Sequence, residues 1–480
     1  MRKILRLAVV AVAGVCLSGV AAPAAQKLNV LFLFADDQRA DTIAALGNPV
    51  IKTPNLDRLA HAGLAFDRAY MQGGMNAATC VPSRAMLLSG RNLFHISEKL
   101  THDGKFDETW PAAFGRDGYT TFMTGKWHNE PPSLPHSFQI ARSVFASGMG
   151  NPLQLPLSDL VAGKLTPSHI GAKHSCAIFA DEAIRFLKEH KGGPFFAYVP
   201  FDAPHDPHIV PADFSFNYDP AQIPVPLNFL PQHPWDNGEM KVRDEKLMTW
   251  PRTPAGVKAY LAEYYRYITY LDLQIGRILD ALAASPYATN TIVVFSADSG
   301  VACGSHGLIG KQNVYEYDSV RVPLIISGPG IPAGQRTDAM CYLFDVFPTL
   351  GKLCGVTVPK GSEGIEFSAT LRNPARPARS EMLFAYKNVQ RGYRDERWKL
   401  IRYPQVDKTQ LFDLQTDPQE ATNLACLPQF AAKVAELTVR LKRQQQESGD
   451  TASLTVANPK PAEWTPPVKK FDPKKLKAID

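Results

Sequence analysis

NVLFLFADDQ, residues 29–38, is the stretch that decides the fold. After Asn29, residues 30–35 form a continuous apolar run, which is typical of a strand buried on both faces of a parallel sheet. The run gives way at once to the polar residues Asp36, Asp37 and Gln38. In open α/β sheets, ligands bind beyond the carboxyl ends of the strands. This stretch therefore predicts a parallel sheet and also the edge of that sheet where a site would lie.

Short apolar runs of the same kind recur along the chain, at Tyr119–Met123, Phe195–Pro200, Thr291–Ala297 and Val322–Ser327. Polar clusters follow three of them, at residues 124–128, 203–205 and 298–300. Helical patterns lie between the runs, at Asp57–Ala62, Asp181–Lys191 and Ala259–Ala283. Strands that alternate with helices predict an α/β fold, with a large, mostly parallel β-sheet flanked by helices.

The pattern changes after about residue 360. Short runs at Met382–Tyr386, Val389–Arg394 and Trp398–Arg402 are separated by polar turns, and Leu427–Ser448 has the pattern of an amphipathic helix. We therefore predict a catalytic domain over residues 26–360. A smaller C-terminal α+β subdomain with an antiparallel sheet would follow over residues 361–480, ending in a basic tail rich in Pro and Lys.

The first 25 residues have the pattern of a secretory signal peptide. A basic start, with Arg2, Lys3 and Arg6, precedes an apolar run that ends in small residues. A membrane anchor is the alternative, but the run is short. Lipid attachment at Cys16 is disfavoured by Ala13. We therefore predict export, to the periplasm or out of the cell, with no stable membrane span.

Composition narrows the classes of function. The chain has 480 residues, of which 45% are hydrophobic and 20% are charged, as in a globular protein. The formal net charge is +6, which would favour an anionic substrate. No segment resembles a nucleic-acid-binding module, so no nucleic-acid partner is expected.

The carboxylates at the strand ends predict a metal site. Adjacent Asp36 and Asp37 repel each other, and a divalent cation would relieve that repulsion. A helix cap or a turn is the alternative reading of such a pair. Asp298 ends a second strand and favours the metal, because three converging carboxylates suit Ca²⁺ or Mg²⁺. The cysteines and histidines have no spacing typical of structural zinc.

Cys80, in the stretch TCVPSR at residues 79–84, is the candidate nucleophile. Its alternative reading is a buried structural cysteine. A helix-like stretch begins just beyond it, and the N-terminus of a helix favours a nucleophile. Arg84 could hold an anionic oxygen.

Four more side chains could bind a tetrahedral oxyanion and protonate a leaving group. They follow strand-like runs or lie in the glycine-rich stretch 304–311, although lone Lys and His residues are more often ordinary surface or core residues. These candidates are Lys126, His128, His205 and Lys311; Arg39, His208 and His306 are weaker ones.

Together these residues resemble the formylglycine-dependent (type I) sulfatases of the alkaline-phosphatase-like superfamily. The resemblance runs from about residue 29 to residue 423. It is carried by ADDQR at 35–39, TPNLDRLA at 53–60, CVPSR at 80–84, GKWH at 125–128, APHDP at 203–207, ADSG at 297–300, HGLIGK at 306–311 and LFDLQTDPQE at 411–420. The combination in this order is far more specific than any one segment.

The resemblance implies that a maturation enzyme oxidises Cys80 to formylglycine, an aldehyde. Residues 81–84 would be part of the signal that this enzyme reads. One hydroxyl of the hydrated aldehyde would attack sulfur and release the alcohol. The other would let the covalent intermediate collapse to aldehyde and inorganic sulfate, a route that serine lacks.

The resemblance also assigns roles to the other candidates. Ca²⁺, or less readily Mg²⁺, would be bound by Asp36, Asp37, Asp298 and the modified residue 80. Arg84 and Lys126 would hold the formylglycine, and His128 would be the base for the collapse. Lys126, His205 and Lys311 would contact the sulfate, and the last two would help to protonate the departing oxygen. Ser299 stands where the family commonly has Asn. Ser299 is therefore a predicted ligand with a shorter side chain, and water or Gln38 would complete the shell.

The leading hypothesis is therefore an exported sulfatase that acts on a sulfated carbohydrate or small molecule. Residues 94–106, 130–151 and 207–254 are the predicted substrate-recognition loops, and Trp235, Trp250 and His208 could touch a sugar or only pack the loops. One alternative is a phosphate or phosphonate ester hydrolase of the same superfamily, with Thr79 beside the cysteine. Another is a binding protein that has lost turnover.

Overall fold

The computed structural model describes residues 27–97, 100 and 108–466. Three segments lie outside these ranges: the predicted signal peptide, residues 98, 99 and 101–106 of the predicted loop 94–106, and the tail beyond residue 466. The strands are β1 Asn29–Ala35, β2 Gly63–Tyr70, β3 Gly73–Gly74, β4 Thr120–Lys126, β5 Ile140–Phe145, β6 Pro156–Leu157, β7 Leu160–Val161, β8 Lys164–Leu165, β9 His169–Ile170, β10 Phe195–Pro200, β11 Thr291–Ala297, β12 Arg321–Ser327, β13 Gln335–Thr337, β14 Cys341–Tyr342, β15 Met382–Tyr386, β16 Gln390–Arg394, β17 Trp398–Tyr403 and β18 Lys408–Asp413.

The helices lie mainly between the strands of the large sheet. They are α1 Pro54–Ala62, α2 Cys80–Ser89, α3 Trp110–Arg116, α4 Leu134–Ser137, α5 Ser175–Glu189, α6 Pro254–Ala283, α7 Val346–Cys354, α8 Ser368–Arg372 and α9 Ala431–Ser448.

The large sheet confirms the predicted α/β class. Its strand order is β13-β2-β12-β11-β1-β10-β4-β5, with β14 also paired to β2. The central strands β11, β1, β10 and β4 are parallel, and every residue of β1, β10 and β11 is buried. β12 is antiparallel to both of its neighbours. An apolar run alone does not set strand direction, so this detail was not predictable.

Helices cover both faces of the large sheet. Phe195 packs edge-on against Phe186 of α5, and the next residue, Phe196, stacks on Phe114 of α3 at 4.8 Å between ring centroids. Phe347 of α7 lies over Phe32 of β1. Because successive side chains of a strand point to opposite faces, α5 lies on one face and α3 on the other. This double cover explains why the central strands are apolar throughout.

A second sheet has the order β18-β17-β16-β15-β3. Strands β15 to β18 are antiparallel and α9 packs against them, as predicted for the C-terminal part. β18 was not among the predicted strands. Neither was β3, the two residues Gly73 and Gly74, which pair in parallel with β15. The second sheet thus includes a strand from the first hundred residues.

Among the described residues, no helix is long and apolar enough to cross a bilayer.

Asp272 of α6 fixes the start of α1 from across the helix interface. Its buried carboxylate accepts hydrogen bonds from the backbone N–H groups of Asn55 at 3.1 Å and Leu56 at 2.7 Å, and from the Asn55 side chain at 2.9 Å. These are first-turn donors that a helix cannot satisfy internally. The contact therefore docks α1 and caps it at once.

We expect Asp272→Ala to lower the free energy of unfolding by about 1–3 kcal/mol, because it leaves buried donors unsatisfied. Urea denaturation measures this. The matched control is Asp280→Ala on the same helix, which removes an exposed ion pair to Arg58 of α1. That change should cost about 0–1 kcal/mol. Equal losses for the two variants would contradict the capping role.

Candidate active site

Three of the central parallel strands of the large sheet deliver polar residues to one edge. Asp36 follows β1, Lys126 ends β4 and Asp298 follows β11. The backbone N–H of Asp36 donates to Ala203 O at 2.9 Å, which ties the end of β1 to the segment after β10 that carries His205. The structure therefore brings the predicted strand-end residues together.

Helix α2 places Cys80 and Arg84 in the same cluster. Cys80 is the first residue of the helix, and all ten residues of α2 are buried. Ser83 Oγ donates to Asp298 O at 2.7 Å, and Arg84 Nε donates to Asp298 Oδ2 at 3.0 Å. Arg84 Nη1 also donates to Lys126 O at 3.1 Å. The N-terminus of α2 is thus fixed against the ends of two strands.

Each buried carboxylate of the cluster meets a cation. Lys126 Nζ donates to Asp36 Oδ2, and Lys311 Nζ donates to both carboxylate oxygens of Asp37 at 2.6 and 2.7 Å. Arg84 pairs with Asp298. Burial raises the pKa of Asp298 to about 6, helped by Asp36 and opposed by Arg84. Burial alone would lower the pKa of Lys311, but the negative charges around it, above all that of Asp37, raise the pKa above its ordinary value.

The cluster fits a divalent cation. Among the described residues, Asp36, Cys80 and Asp298 offer ligand atoms that all lie within 4.8 Å of one another. Asp36 Oδ1 is buried and accepts no hydrogen bond from any described residue. Asp37 adjoins this group through its N–H, which donates to Asp298 Oδ1 at 3.0 Å. A buried acceptor among carboxylates is a site suited to a hard cation.

Ser299 lies beside the carboxylates. Its hydroxyl donates to Asp37 Oδ1 at 2.8 Å, and its side chain is buried. Gln38 is buried too, and neither atom of its amide has a partner among the described residues. Ser299 and Gln38, the two residues predicted to complete the metal shell, are therefore both buried, and Ser299 contacts the predicted ligand Asp37.

His128 lies against Cys80. The distance from Cys80 Sγ to His128 Nδ1 is 3.2 Å. Burial and the charges of Lys126, Arg84 and Lys311 lower the pKa of His128, so the imidazole is neutral at neutral pH. Burial raises the pKa of the Cys80 thiol to about 11, so an unmodified Cys80 is a poor nucleophile.

His205 and Lys311 lie on the other side of the cluster, at Asp37. His205 Nε2 is 3.6 Å from Asp37 Oδ2, and its Nδ1 lies 2.8 Å from Asp206 O. Burial lowers the pKa of His205, as do Lys311 and Lys126, whereas Asp244 raises it. Cationic and proton-carrying groups therefore flank the carboxylates.

The weaker sequence candidates have structural contacts. Arg39 binds Asp41 in a bidentate pair and donates to Ala302 O. His208 packs among the rings of α6, and burial lowers its pKa to about 3. The weaker candidate His306 and the two tryptophans that could touch a sugar also pack against aromatic rings: His306 on Tyr315, Trp235 on Tyr403, and Trp250 on Trp464.

Sequence reasoning missed residues that support the cluster from loops. Gly148 is one, because a side chain there would begin 2.3 Å from Nε2 of His128. Others are the polar residues Asp206, Arg243, Asp244 and Gln312, which lie around His205 and Lys311. The sequence placed Asp206 within APHDP and Gln312 directly after HGLIGK, and it placed Gly148, Arg243 and Asp244 in the predicted loops 130–151 and 207–254. None of these signals identifies a contact between distant segments.

Comparison with known proteins identifies the family. Residues 28–356 match the sulfatase family model, and residues 304–447 match the model of the N-sulphoglucosamine sulphohydrolase C-terminal region. An N-acetylglucosamine-6-O-sulfatase of Bacteroides thetaiotaomicron is 26% identical, with 88% of this chain and 87% of that protein covered. An ulvan-active sulfatase of Formosa agariphila is 28% identical, with 88% and 82% covered.

The fold agrees with this match. A solved structure in complex with its substrate, D-glucosamine-2-N,6-O-disulfate, superposes with a TM-score of 0.71 at 24% identity, covering 89% of this chain and 99% of that one. The family model spans more than half of the chain, from β1 through the segment that carries Lys311. The chain therefore belongs to the sulfatase family, and it is an enzyme that hydrolyses sulfate esters.

Proposed function

We propose that this chain is an exported, calcium-dependent sulfatase that uses a formylglycine made from Cys80 and acts on a sulfated carbohydrate. One observation carries the proposal: Cys80 begins a buried helix with its sulfur 3.2 Å from His128 and within a group that includes Asp36 and Asp298. A structural cysteine has no need of carboxylates, a neutral histidine and three cations around it.

The aldehyde would supply a geminal diol whose oxygen is the nucleophile, and the calcium ion would add positive charge beside it. Asp36, Asp298 and residue 80 would hold the ion, with Asp37 and Ser299 beside them. Three carboxylates already face Arg84, Lys126 and Lys311, so a divalent ion would make the cluster net positive. A net positive cluster suits the single negative charge of a sulfate ester.

The chain's own residues account for the proton transfers. His128 Nδ1 lies 3.2 Å from the sulfur of residue 80. The negative charge of a sulfate bound there would raise the pKa of His128, so this imidazole is placed to take the hydroxyl proton of residue 80 as sulfate leaves. Lys126 and Lys311 would turn their ammonium groups from the carboxylates to the sulfate oxygens. Lys311, whose pKa is raised, would then give a proton to the departing alkoxide oxygen. His205 would do so where the anionic sulfate ester beside it raises its pKa.

The substrate class is supported by the relatives, whose names include N-acetylglucosamine-6-O-sulfatase and ulvan-active sulfatase. The predicted recognition loop 207–254 also borders the cluster, because Asp244 accepts a hydrogen bond from Gln312, the neighbour of Lys311. A maturation enzyme that converts Cys80 would be the protein partner, and the predicted signal peptide would direct export.

The formylglycine is tested by the mass of the tryptic peptide of residues 69–84 from protein made in its native host. We expect a peptide lighter than the cysteine form, because an aldehyde replaces a thiol, and we expect it to react with a hydrazide probe. Cys80→Ala should lose both the reaction and the hydrolysis of aryl sulfate esters. Cys354→Ala, at another buried cysteine, is the matched control and should keep both. Finding only the thiol in a host that matures other sulfatases would exclude this mechanism.

The metal site is tested through stability as well as activity. Ca²⁺ at 100 times its Kd should raise the free energy of unfolding by about 2.7 kcal/mol, because it binds only the folded state. Mg²⁺ at the same concentration should have a smaller effect. Asp298→Asn should abolish the calcium effect, whereas Asp280→Asn at an exposed position should retain it. No stabilisation of the wild type by either ion would contradict a metal site.

Matched esters separate the sulfatase from a phosphate or phosphonate ester hydrolase. We expect kcat/KM for 4-nitrophenyl sulfate to exceed that for 4-nitrophenyl phosphate and for the matching phosphonate monoester. The reverse order would favour the phosphorus chemistry, and an absence of turnover on all three by metal-loaded, matured protein would favour a binding protein.

A further inference from the structure

Gln312 is a buried amide that joins three segments of the candidate active site. Its Nε2 donates to Asp244 Oδ2 at 2.7 Å and to Ala77 O at 2.9 Å, and its Oε1 accepts from the backbone N–H of Lys311 at 3.1 Å. The side chain is 5% exposed. All three contacts satisfy the amide internally, so its position is closely defined.

One arm of this network leads to His205. Asp244 also pairs with Arg243, whose Nη1 donates to Asp244 Oδ1 at 2.9 Å and to Asp206 Oδ1 at 3.0 Å. Asp206 lies next to His205, and its carbonyl oxygen is 2.8 Å from His205 Nδ1. A chain of hydrogen bonds thus runs from Gln312 to the imidazole.

A second arm leads to Cys80. Ala77 lies three residues before the start of α2, and the next carbonyl, Ala78 O, accepts from the N–H of Val81. The contact between Gln312 and Ala77 O therefore holds the segment that enters the helix carrying residue 80.

The backbone that carries Lys311 is anchored separately. Glu245, the neighbour of Asp244, accepts from the N–H groups of Ile309 at 3.1 Å and Gly310 at 2.9 Å. A side chain at Gly310 would begin 2.4 Å from Oε1 of Gln312 and 2.8 Å from Cβ of Asp244. Glycine there lets the segments approach closely, so Gln312 can reach both neighbours.

We infer that Gln312 is a positioning residue that fixes Lys311 and His205 relative to residue 80. The side chain of Lys311 extends to Asp37. The next residue, Gln312, fixes the backbone of the same segment against Asp244 and Ala77. The inference rests on the proposed function, in which these groups act together on one sulfate. Small displacements of such groups are costly, because catalysis needs them all in place at once.

The test uses Gln312→Met in the matured, metal-loaded full chain, because methionine matches glutamine in length and makes no such hydrogen bonds. We expect kcat to fall by about 10- to 100-fold. KM should rise by no more than about tenfold, because Lys311 and His205 would also contact the sulfate of the bound substrate. Rates are expressed per folded, formylglycine-containing molecule.

Gln445→Met is the matched control. Gln445 is also buried, and its Nε2 donates to a carboxylate paired with an arginine, Asp450 Oδ2 at 2.6 Å, and to a backbone carbonyl, Ala452 O at 2.9 Å. It lies in the second sheet's helix, α9. We expect a similar loss of stability for the two variants and an unchanged kcat for Gln445→Met. Equal kcat values for the two variants would overturn the inference.

A second pair of variants tests the contact with Asp244. Gln312→Glu places a carboxylate against Asp244 and should lower kcat more than Gln312→Met. In the double variant that adds Asp244→Asn, the amide at 244 can donate to the carboxylate at 312, which reverses the direction of the original hydrogen bond. The double variant should therefore recover part of the loss in kcat. Independent effects of the two changes would contradict the coupling.

Binding of inorganic sulfate, measured by calorimetry on the unmatured protein with Cys80 intact, separates this inference from the proposed function. We expect Gln312→Met to weaken sulfate binding about tenfold and Gln445→Met to leave it unchanged. If the wild type binds sulfate but never turns over, the proposed function fails, and the sulfate affinities still decide the role of Gln312. Unchanged affinity in Gln312→Met, with unchanged kcat, would overturn the positioning role.

Discussion

The structure depends on the burial of three carboxylates at one edge of a parallel sheet. Asp36, Asp37 and Asp298 lie where the central strands end, almost without access to water. Buried charges are stable only when opposite charges and hydrogen bonds compensate for lost hydration. The compensating groups come from three other segments: Arg84 from α2, Lys126 from β4 and Lys311 from the loop after β11. The sheet, the helix and the loop are therefore held in place by the same charges that define the site.

Much of this arrangement was predictable, because it follows from local patterns. Continuous apolar runs identify strands buried on both faces, and Asp36, Lys126 and Asp298 stand where three of those strands end. Parallel strands carry their carboxyl ends to the same edge, so the convergence follows from the fold class. Helix α2 was placed only in part, because the apolar stretch 85–88 gives no signal for a start at Cys80.

What the sequence did not reveal depends on contacts between distant segments. The direction of β12 and the pairing of β3 are set by partners far along the chain, and two glycines carry no strand signal. The link from Gln312 to Asp244 joins residues 68 positions apart. Polar residues in loops have no periodicity that could point to such partners.

The pairing of β3 with β15 has a consequence for recombination between sulfatases. Gly73 lies so close to β15 that a side chain there would begin 1.8 Å from Ala385 O, and Gly74 packs near Thr79 and Pro82 at the entrance to α2. A chimera that exchanged the C-terminal sheet for one from a relative would therefore also replace the surface on which the segment before Cys80 rests. A chimera should therefore exchange the C-terminal sheet together with residues 72–74, instead of joining the two proteins at a single point near residue 360.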